Sequence, residues 1–398
     1  MRTYKMTIKA AFMGYVVQAI VNNFLPLLFV QMQNEFSVPL SKITLLITIN
    51  FAIQLVIDLT SAPVIDRIGY RASMLISNAA VICGLTLLTI LPSVFKDPFF
   101  GVLTAVCIYA VGGGLQEVLV SPIVEACPSD NKEMTMSLLH SFYCWGHVAV
   151  VLLSTLFFTV FGIGNWRILS FAWCLIPAID LILFLFVPIA KLSEEADGKS
   201  GKEKTGLKGL FSQKIFWIMM LMMLCAGASE QAVSQWASAF AEKGLHISKQ
   251  MGDLLGPMLF AVCMGTSRTI YGLKGQKLRL KSFMAVSTVL CVLSYLIIIL
   301  STNPILTLLS CGLAGFSVGI FWPGTFSIAA SGIKGSSTLM FALLALAGDL
   351  GCSGGPTYAG VIMSALGGDM KSGIGAAIIF PVLLGLGLLL SRSAAKSE

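Results

Sequence analysis

Glu117 is the residue of this 398-residue chain whose setting best suits proton chemistry. It lies in an apolar stretch, residues 99–124, that contains no other charged side chain. A carboxylate at membrane depth is energetically costly, so it almost always faces a partner or a water-filled cavity. The apolar setting also favours the protonated acid, which lets the side chain load and release a proton. We therefore predict that Glu117 couples protons to the movement of a solute, the alternative being a permanent bond to a neighbouring helix.

Other carboxylates also lie at membrane depth. Glu230 and Asp349 are predicted as additional proton-coupling residues. The alternative for each is a permanent pairing with Arg268 or with a histidine. Asp180 lies equally deep, and the sequence indicates no role for it.

Polar side chains recur at helical spacing and suggest a sugar site. Paired amides can bond neighbouring hydroxyl groups as donor and as acceptor, and an indole face packs on the C–H groups of a pyranose ring. The alternative is that these side chains join one helix to another, as amides commonly do in membranes. The predicted substrate-binding residues are Gln18, Asn22, Asn23, Asn50, Gln54, Glu117, His140, Tyr143, His147, Glu230, Gln231, Gln235, Trp236 and Trp322.

The composition indicates the elements that position these residues. Apolar residues make up 56% of the chain and charged residues only 11%, far fewer charges than a soluble domain carries. Long continuous apolar runs predict transmembrane helices and not a barrel. We predict an all-α membrane protein of twelve transmembrane helices, at about 8–30, 41–63, 72–94, 99–126, 134–160, 166–189, 214–239, 250–272, 282–300, 304–330, 336–365 and 372–391.

The basic residues are distributed unevenly between the two sides of such a protein. If both termini lie on one side, twenty of the 26 Lys and Arg residues fall on that side. The positive-inside rule then predicts a multi-pass protein of the plasma (cytoplasmic) membrane with both termini in the cytoplasm. The net charge of +7 is thus a signal of topology and not of nucleic-acid binding. The six remaining basic residues are Lys42, Lys96, Arg167, Lys243, Lys249 and Lys371.

A charged, Gly-rich and Ser-rich stretch, residues 191–210, follows the sixth apolar run and predicts a cytoplasmic linker. It divides the chain into two six-helix bundles, 1–190 and 211–398. Thr60-Ser61 in the first half is matched by Thr266-Ser267 in the second, after the second helix of each half. Two related bundles predict a midplane site and alternating access.

The first cytoplasmic turn combines Asp66, Arg67, Gly69 and Arg71. Here the chain resembles the major facilitator superfamily, whose signature in this turn is G-x-x-x-D-R-x-G-x-R; Ala62 replaces the first glycine. The resemblance implies that these four residues form a cytoplasmic gate. Arg268, after Thr266-Ser267 in the second half, is assigned to the same gate.

The fourth apolar run resembles the fucose, glucose and mannose permease branch of that superfamily. The branch pattern G-x-G-x-x-E-x-x-x-N-P is matched by Gly112, Gly114, Glu117 and Pro122, with Ser121 in place of asparagine. One departure concerns coupling, because fucose permeases carry an aspartate three residues after an Asn pair, where this chain has Pro26.

The sequence thus predicts a transporter, not an enzyme, that imports a monosaccharide by proton symport. The alternatives are a proton-coupled efflux pump for amphipathic compounds and a sugar uniporter. A sensor built on a transporter scaffold would need a large output domain, which the sequence does not show, and an ATP-driven pump would need a phosphate-binding G-x-x-x-x-G-K-[ST] loop. The ten cysteines are scattered, and no metal or cofactor is predicted. The predicted partners are the sugar, protons and the lipid bilayer, with no nucleic acid, and the predicted state is a monomer.

Overall fold

The computed structural model describes residues 2–37, 40–190, 207–245, 249–333, 338–366 and 370–397. These residues form α-helices and three short 3-10 helices, with no strand among them. The all-α class predicted from the long apolar runs is confirmed.

The helices of the first part of the chain are separated by short connections. They are α1 (Arg2–Asn23), α2 (Phe29–Phe36), α3 (Leu40–Ile68), α4 (Tyr70–Val94), α5 (Pro98–Ala126), α6 (Lys132–Phe161), α7 (Trp166–Trp173) and α8 (Leu175–Phe186).

The helices of the second part follow the same pattern. They are α9 (Leu207–Phe211), α10 (Lys214–Leu245), α11 (Lys249–Lys274), α12 (Leu280–Leu300), α13 (Pro304–Val318), α14 (Phe321–Gly332), α15 (Thr338–Ala365), α16 (Met370–Ala377) and α17 (Ile379–Ser397).

The chain forms two compact units. Unit 1 comprises Met1–Pro128 and Trp145–Leu192, and unit 2 comprises Ser129–Cys144 and Ser193–Glu398. The first half of α6 therefore groups with unit 2 and the second half with unit 1. Most of the predicted linker, residues 191–206, lies outside the described residues.

Eleven segments within the described residues are long and apolar enough to cross a bilayer. They match the predicted apolar runs, with the exception of the eighth run at 250–272. That run forms α11, a 26-residue helix that carries the buried Arg268. A single charged side chain of this kind lowers the mean hydropathy of a helix without preventing it from lying among others.

The first predicted span is interrupted at Pro26. Helix α1 ends at Asn23, and the 3-10 helix Leu25–Leu28 carries the chain into α2. A proline lacks the N–H that a continuous helix needs and clashes with the preceding turn. The Asn23 amide donates to the Ala19 carbonyl of its own helix at 2.9 Å, which satisfies an acceptor at the end of α1.

Small residues allow close approach of α10 and α15 in unit 2. A Cβ atom at Gly355 would lie 2.6 Å from the Ala228 carbonyl oxygen, which is closer than real contacts allow. Tyr295 on α12 donates to the Ser229 carbonyl at 2.8 Å beside this contact. Glycine at the contact thus lets two helix backbones touch, as in other membrane bundles.

A polar cluster in unit 1 joins α2 to α7, and we call Gln31, Glu35, Trp166 and Arg167 the Glu35 cluster. Arg167 pairs with Glu35 at 2.6 Å, while Trp166 Nε1 and Gln31 Nε2 each donate to Glu35 Oε2 at 2.9 Å. Burial by itself raises the pKa of Glu35, but the hydrogen bonds from Trp166 and Gln31 and the contact with Arg167 lower that pKa overall.

The lowered pKa predicts the direction in which pH affects this cluster. A carboxylate with a lowered pKa stabilises the folded protein above its unfolded pKa, near 4.5, and loses that effect as pH falls through the folded value. We expect Glu35→Gln to lower stability by about 1–2 kcal/mol at pH 7, because charge-assisted hydrogen bonds are lost. The difference in melting temperature from wild type should close as pH falls below 4.5.

The matched control is Asp97→Asn, which alters the exposed ion pair with Lys42 at 3.6 Å. Exposed pairs contribute little, so this variant should melt close to wild type at both pH values. A Glu35→Gln difference that is independent of pH would contradict the role given to the carboxylate charge.

Candidate functional site

Glu117 lies half-buried on α5 and is bonded to Gln18 on α1. Gln18 Nε2 donates to Glu117 Oε2 at 2.6 Å. Gln18 itself is only 3% exposed, and its Oε1 accepts no hydrogen bond within the described part of the chain. An amide beside an acid can serve both protonation states, since its N–H donates to a carboxylate and its oxygen accepts from a protonated acid.

Three consecutive glycines let three other helices approach α5 closely just before Glu117. Added Cβ atoms would lie 2.6 Å from the Ser77 carbonyl oxygen at Gly112, 2.7 Å from Val21 at Gly113, and 3.0 Å from Ile57 at Gly114. Successive residues of a helix point about 100° apart. The three glycines therefore admit α4, α1 and α3 in turn, and Glu117 lies three residues after the last of them on α5.

A second group of amides lies on α1 and α3, and we call Asn22, Asn50 and Gln54 the amide cluster. Asn22 Oδ1 accepts from Asn50 Nδ2 at 3.1 Å and from Gln54 Nε2 at 2.8 Å. Asn50 and Gln54 are 5% and 1% exposed, and Asn50 Oδ1 accepts no hydrogen bond from a described residue. Asn22 is one helical turn from Gln18, so the cluster continues the polar face of α1 that reaches Glu117.

Other predicted substrate residues are more dispersed. Asn23 donates to its own helix, as described above. His147 is half-buried in the part of α6 that belongs to unit 1, whereas Tyr143 and His140 belong to unit 2. The His140 ring is 4% exposed and stacks on Phe326 with ring centroids 5.6 Å apart. The side chains of Gln235 and Trp236 lie outside the described residues.

Unit 2 contains a buried ion pair between α10 and α11. Arg268 and Glu230 are 3% and 9% exposed, and Arg268 NH2 lies 3.6 Å from Glu230 Oε2. Gln231 Nε2 contacts Glu230 Oε1 at 3.5 Å. Of the two sequence interpretations of Glu230, the geometry matches a partner of Arg268.

Arg268 also donates to two backbone carbonyls and a thiol. Its Nε donates to the Gly319 carbonyl at 2.8 Å, and its NH1 donates to the His140 carbonyl and to Cys144 Sγ, both at 3.1 Å. Gly319 would normally bond to the N–H of residue 323, but Pro323 has none. Arg268 therefore supplies the donor that the break between α13 and α14 leaves missing.

Trp322 follows this break and is 7% exposed. Its Nε1 has no hydrogen-bond partner among the described residues, and its ring fills the space where a Cβ atom at Gly348 would lie. Asp349 is half-buried on α15 directly after that glycine. Among the predicted residues of unit 2, Glu230 thus lies with Arg268, whereas Trp322 packs on Gly348, which directly precedes Asp349.

The turn between α3 and α4 depends on Gly69, whose φ of +85° favours glycine. Asp66 and Arg67 at the end of α3 are exposed. Arg71 donates to the carbonyls of Phe184, Leu185 and Val187 at 2.7, 2.6 and 2.8 Å. The last carbonyls of a helix have no partner within the helix, so the Arg71 guanidinium stabilises the end of α8. The sequence pattern alone did not reveal this contact.

Sequence reasoning also missed the partners of Asp180. The carboxyl group is fully buried and accepts from Asn78 Nδ2 at 2.9 Å, and Gln116 Nε2 donates to Asn78 Oδ1 at 3.1 Å. The available signal was the presence of Asn78 and Gln116 inside apolar runs, at positions where an unpaired amide would be costly.

Comparison with known proteins identifies the fold. The family model of the Major Facilitator Superfamily matches residues 10–356, while no curated protein sequence matches the chain. The chain is similar to the Escherichia coli fucose:proton symporter FucP, with a TM-score of 0.82, 14% identity and coverage of 98% of this chain and 99% of that chain. It is similar to the proton:xylose symporter XylE, with a TM-score of 0.78, 14% identity and coverage of 98% and 96%.

A third solved structure is the human organic anion transporter MFSD10, with a TM-score of 0.74, 16% identity and coverage of 96% of this chain and 99% of that chain. At these identities the likeness shows the fold alone. The resemblance found in the turn at Asp66 to Arg71 and along the fourth apolar run is confirmed at the level of the superfamily. Because the family model spans most of its length, the chain belongs to the major facilitator superfamily, a family of transporters and not of enzymes.

Proposed function

We propose that this protein imports a monosaccharide by proton symport through alternating access. The observation that carries the proposal is the set of buried amide oxygens near Glu117. Gln18 Oε1 and Asn50 Oδ1 are acceptors with no donor in the described part of unit 1. Buried acceptors are costly unless a donor reaches them, and sugar hydroxyl groups are donors of the required kind.

Glu117 is the proton site in this proposal. The Gln18 amide can bond the carboxyl group in both protonation states, so a proton can be taken up and released without leaving either form unsupported. The similarity of the fold to two sugar:proton symporters supports sugar transport coupled to protons. Glu230 and Asp349 remain as further candidates for the coupling role, and Glu230 remains a candidate for sugar binding.

A thermal-shift screen tests the substrate class. The purified protein is heated with a panel of monosaccharides and, separately, with amphipathic cations of the kind that efflux pumps export. We expect at least one monosaccharide to raise the melting temperature, because a ligand that binds only the folded state stabilises it. Stabilisation by the amphipathic compounds alone would favour the efflux alternative.

A matched pair of variants connects that shift to the site. Gln18→Ala should abolish the sugar-induced shift, because it removes the buried amide. Asn165→Ala removes an exposed amide that only bonds to the Phe161 carbonyl, and it should leave the shift intact. Equal loss in both variants would argue against a sugar site at Gln18.

We also propose that residues 1–190 and 211–398 form the two bundles of the transporter, that the 191–210 segment is cytoplasmic, and that the protein resides in the plasma membrane with both termini in the cytoplasm. The support is the uneven distribution of basic residues, with twenty of 26 on one side. A single cysteine introduced at position 200 should resist a membrane-impermeant thiol reagent in intact cells and react after permeabilisation. Reaction in intact cells would reverse the topology.

A further inference from the structure

Three helices of unit 1 meet at a buried polar cluster formed by Asn78 on α4, Gln116 on α5 and Asp180 on α8. We call these residues the Asp180 cluster. All three side chains are fully buried, with 0% exposure. Asn78 lies at the centre, donating to Asp180 Oδ2 and accepting from Gln116 Nε2, as given above.

The orientation of the two amides is fixed by the backbone. Asn78 Nδ2 also donates to the Met74 carbonyl at 3.1 Å, so the nitrogen must occupy that side of the amide. The oxygen of Asn78 then faces Gln116, whose nitrogen must face it in turn. Both N–H groups of Asn78 are used, which leaves Asp180 Oδ1 and Gln116 Oε1 as acceptors that no described group satisfies.

Among the residues that the structure describes, no cation compensates the Asp180 carboxyl group. Apart from Asp180, the described charged side chains on α4, α5 and α8 and on the helices packed against them are Lys5, Lys9, Lys42, Asp58, Asp66, Arg67, Arg71, Glu117, Glu125 and Arg167. None of them forms an ion pair with Asp180, and Arg71 is occupied by the carbonyls at the end of α8. An ionised carboxylate without a counter-charge is very costly in a low-dielectric interior, and taking up a proton removes that cost.

A proton on Asp180 would also supply a hydrogen-bond donor that the Asp180 cluster lacks. Two oxygens of the cluster, Asp180 Oδ1 and Gln116 Oε1, have no partner among the described residues. Gln116 Nε2 keeps a second N–H beyond its bond to Asn78, and this N–H can reach Asp180 but not the oxygen of its own amide. One acceptor therefore still lacks a donor, and an ionised Asp180 cannot supply one. A protonated acid carries one O–H donor and keeps the acceptor that binds Asn78. The burial of Asp180, the missing cation and the surplus of acceptors therefore all favour a protonated Asp180.

The cluster adjoins the predicted proton site. Gln116 immediately precedes Glu117 on α5, and a Cβ atom at Gly14 on α1 would lie 2.6 Å from Gln116 Oε1. One turn further along α1, Gln18 donates to Glu117 at 2.6 Å. The Gln116 side chain thus packs against the backbone of the helix that presents the partner of Glu117.

We propose that Asp180 is a neutral carboxylic acid and a positioning residue for Glu117. Through Asn78 it holds Gln116 against Gly14, and this contact sets the approach of α1 to α5 at which Gln18 reaches Glu117. The positioning role rests on the proposed function of Glu117, whereas the neutral state of Asp180 does not. The two parts are therefore tested separately.

The protonation state is tested by infrared spectroscopy of the full-length protein in lipid vesicles, with aspartate residues carrying a ¹³C-labelled carboxyl group. Wild type at pH 7 should show the carbonyl band of a protonated aspartic acid. Asp180→Asn should remove the Asp180 contribution from that band, which the wild-type minus Asp180→Asn difference spectrum isolates, while Asp58→Asn and Asp349→Asn should leave this contribution in place. A band of unchanged intensity in Asp180→Asn, or the absence of the band from wild type, would overturn the assignment of a neutral Asp180.

The positioning role is tested with labelled glutamate, whose Glu117 signal is identified as the band lost in Glu117→Gln. Asp180→Leu should shift the Glu117 band and weaken sugar binding by about tenfold, since small misplacements of a site are costly. Asp180→Asn keeps an acceptor for Asn78 and adds a donor, so it should restore both readouts to wild-type values. If Asp180→Leu fails to fold, Gln116→Met breaks the same link from the other end.

Each outcome bears on one part of the proposal. An unchanged Glu117 band in Asp180→Leu or Gln116→Met would refute the positioning role. Loss of function in Asp180→Asn equal to that in Asp180→Leu would show that the charge is needed and refute the neutral acid. If no sugar binds wild type, the proposed substrate fails, while the two infrared readouts still decide the state of Asp180 and its link to Glu117.

Discussion

Glu117→Gln should bind sugar and exchange it across the membrane, yet fail to accumulate it. The amide resembles the protonated acid in shape and in its neutral charge, so it keeps the hydrogen bond with Gln18 in one of its two orientations. It cannot release or take up a proton, so the gradient has no means of driving the cycle. Accumulation should fall to the equilibrium level, while counterflow of labelled sugar continues at a rate comparable to wild type.

The measurement is uptake into vesicles under an imposed inward proton gradient, with wild type and mutant side by side. Glu125→Gln is the matched control, because it makes the same change near the end of the same helix, and it should accumulate sugar as wild type does. If Glu117→Gln also concentrates sugar, the coupling role passes to Glu230 or Asp349. If the proton gradient does not change sugar accumulation by wild type, the protein is a uniporter, and the absence of an acid at Pro26 is the reason.

The fold could be predicted because hydropathy and helix breakers act locally. A membrane requires each backbone segment to satisfy its own hydrogen bonds, so twelve long apolar runs leave little choice but helices. The turn at Gly69 follows from the backbone preference of a single residue. The break at Pro26 has the same kind of local cause, but the prediction of one continuous span over 8–30 missed it. The crowding around Gly112 to Gly114 was indicated in the same way, since three small residues in a helix permit close neighbours.

The partners of individual polar groups could not be predicted, because they depend on how distant segments come together. Asn78 and Asp180 are 102 positions apart, and nothing local to either residue indicates the other. His140 and His147 are seven residues apart on one helix face, and only the packing of α6 assigns them to different units. The sequence also left open whether Glu230 handles protons or pairs with Arg268.

The contacts of Arg268 make it the most heavily bonded charge in unit 2 that this structure describes. It joins α11 to Glu230 on α10, to the His140 carbonyl on α6 and to the Gly319 carbonyl at the break before α14. Arg268 and Glu230 are almost completely buried. Removing one partner of such a pair is strongly destabilising, because it leaves the other charge without compensation.

Arg268→Gln should therefore be among the most damaging single changes in the chain. We expect a loss of about 3–5 kcal/mol of stability for either Arg268→Gln or Glu230→Gln, as for other broken buried pairs. The double variant Arg268→Gln/Glu230→Gln should lose much less than the sum, since no charge remains buried alone. It should still be less stable than wild type, because the Gly319 carbonyl loses the donor that replaces the missing N–H of Pro323.

Unfolding of the four proteins in denaturant gives this double-mutant cycle directly. Glu133→Gln is the control, because its carboxylate accepts a hydrogen bond from Tyr271 at 2.8 Å and the amide oxygen can accept the same bond. Glu133→Gln should lower the free energy of unfolding only slightly. Additive losses in the double variant would mean that the two charges do not stabilise each other, and Glu230 would then be protonated in the folded state. In that case Glu230→Gln alone should leave the stability nearly unchanged. Arg268→Gln should still lower it strongly, because the Gly319 and His140 carbonyls lose their donor.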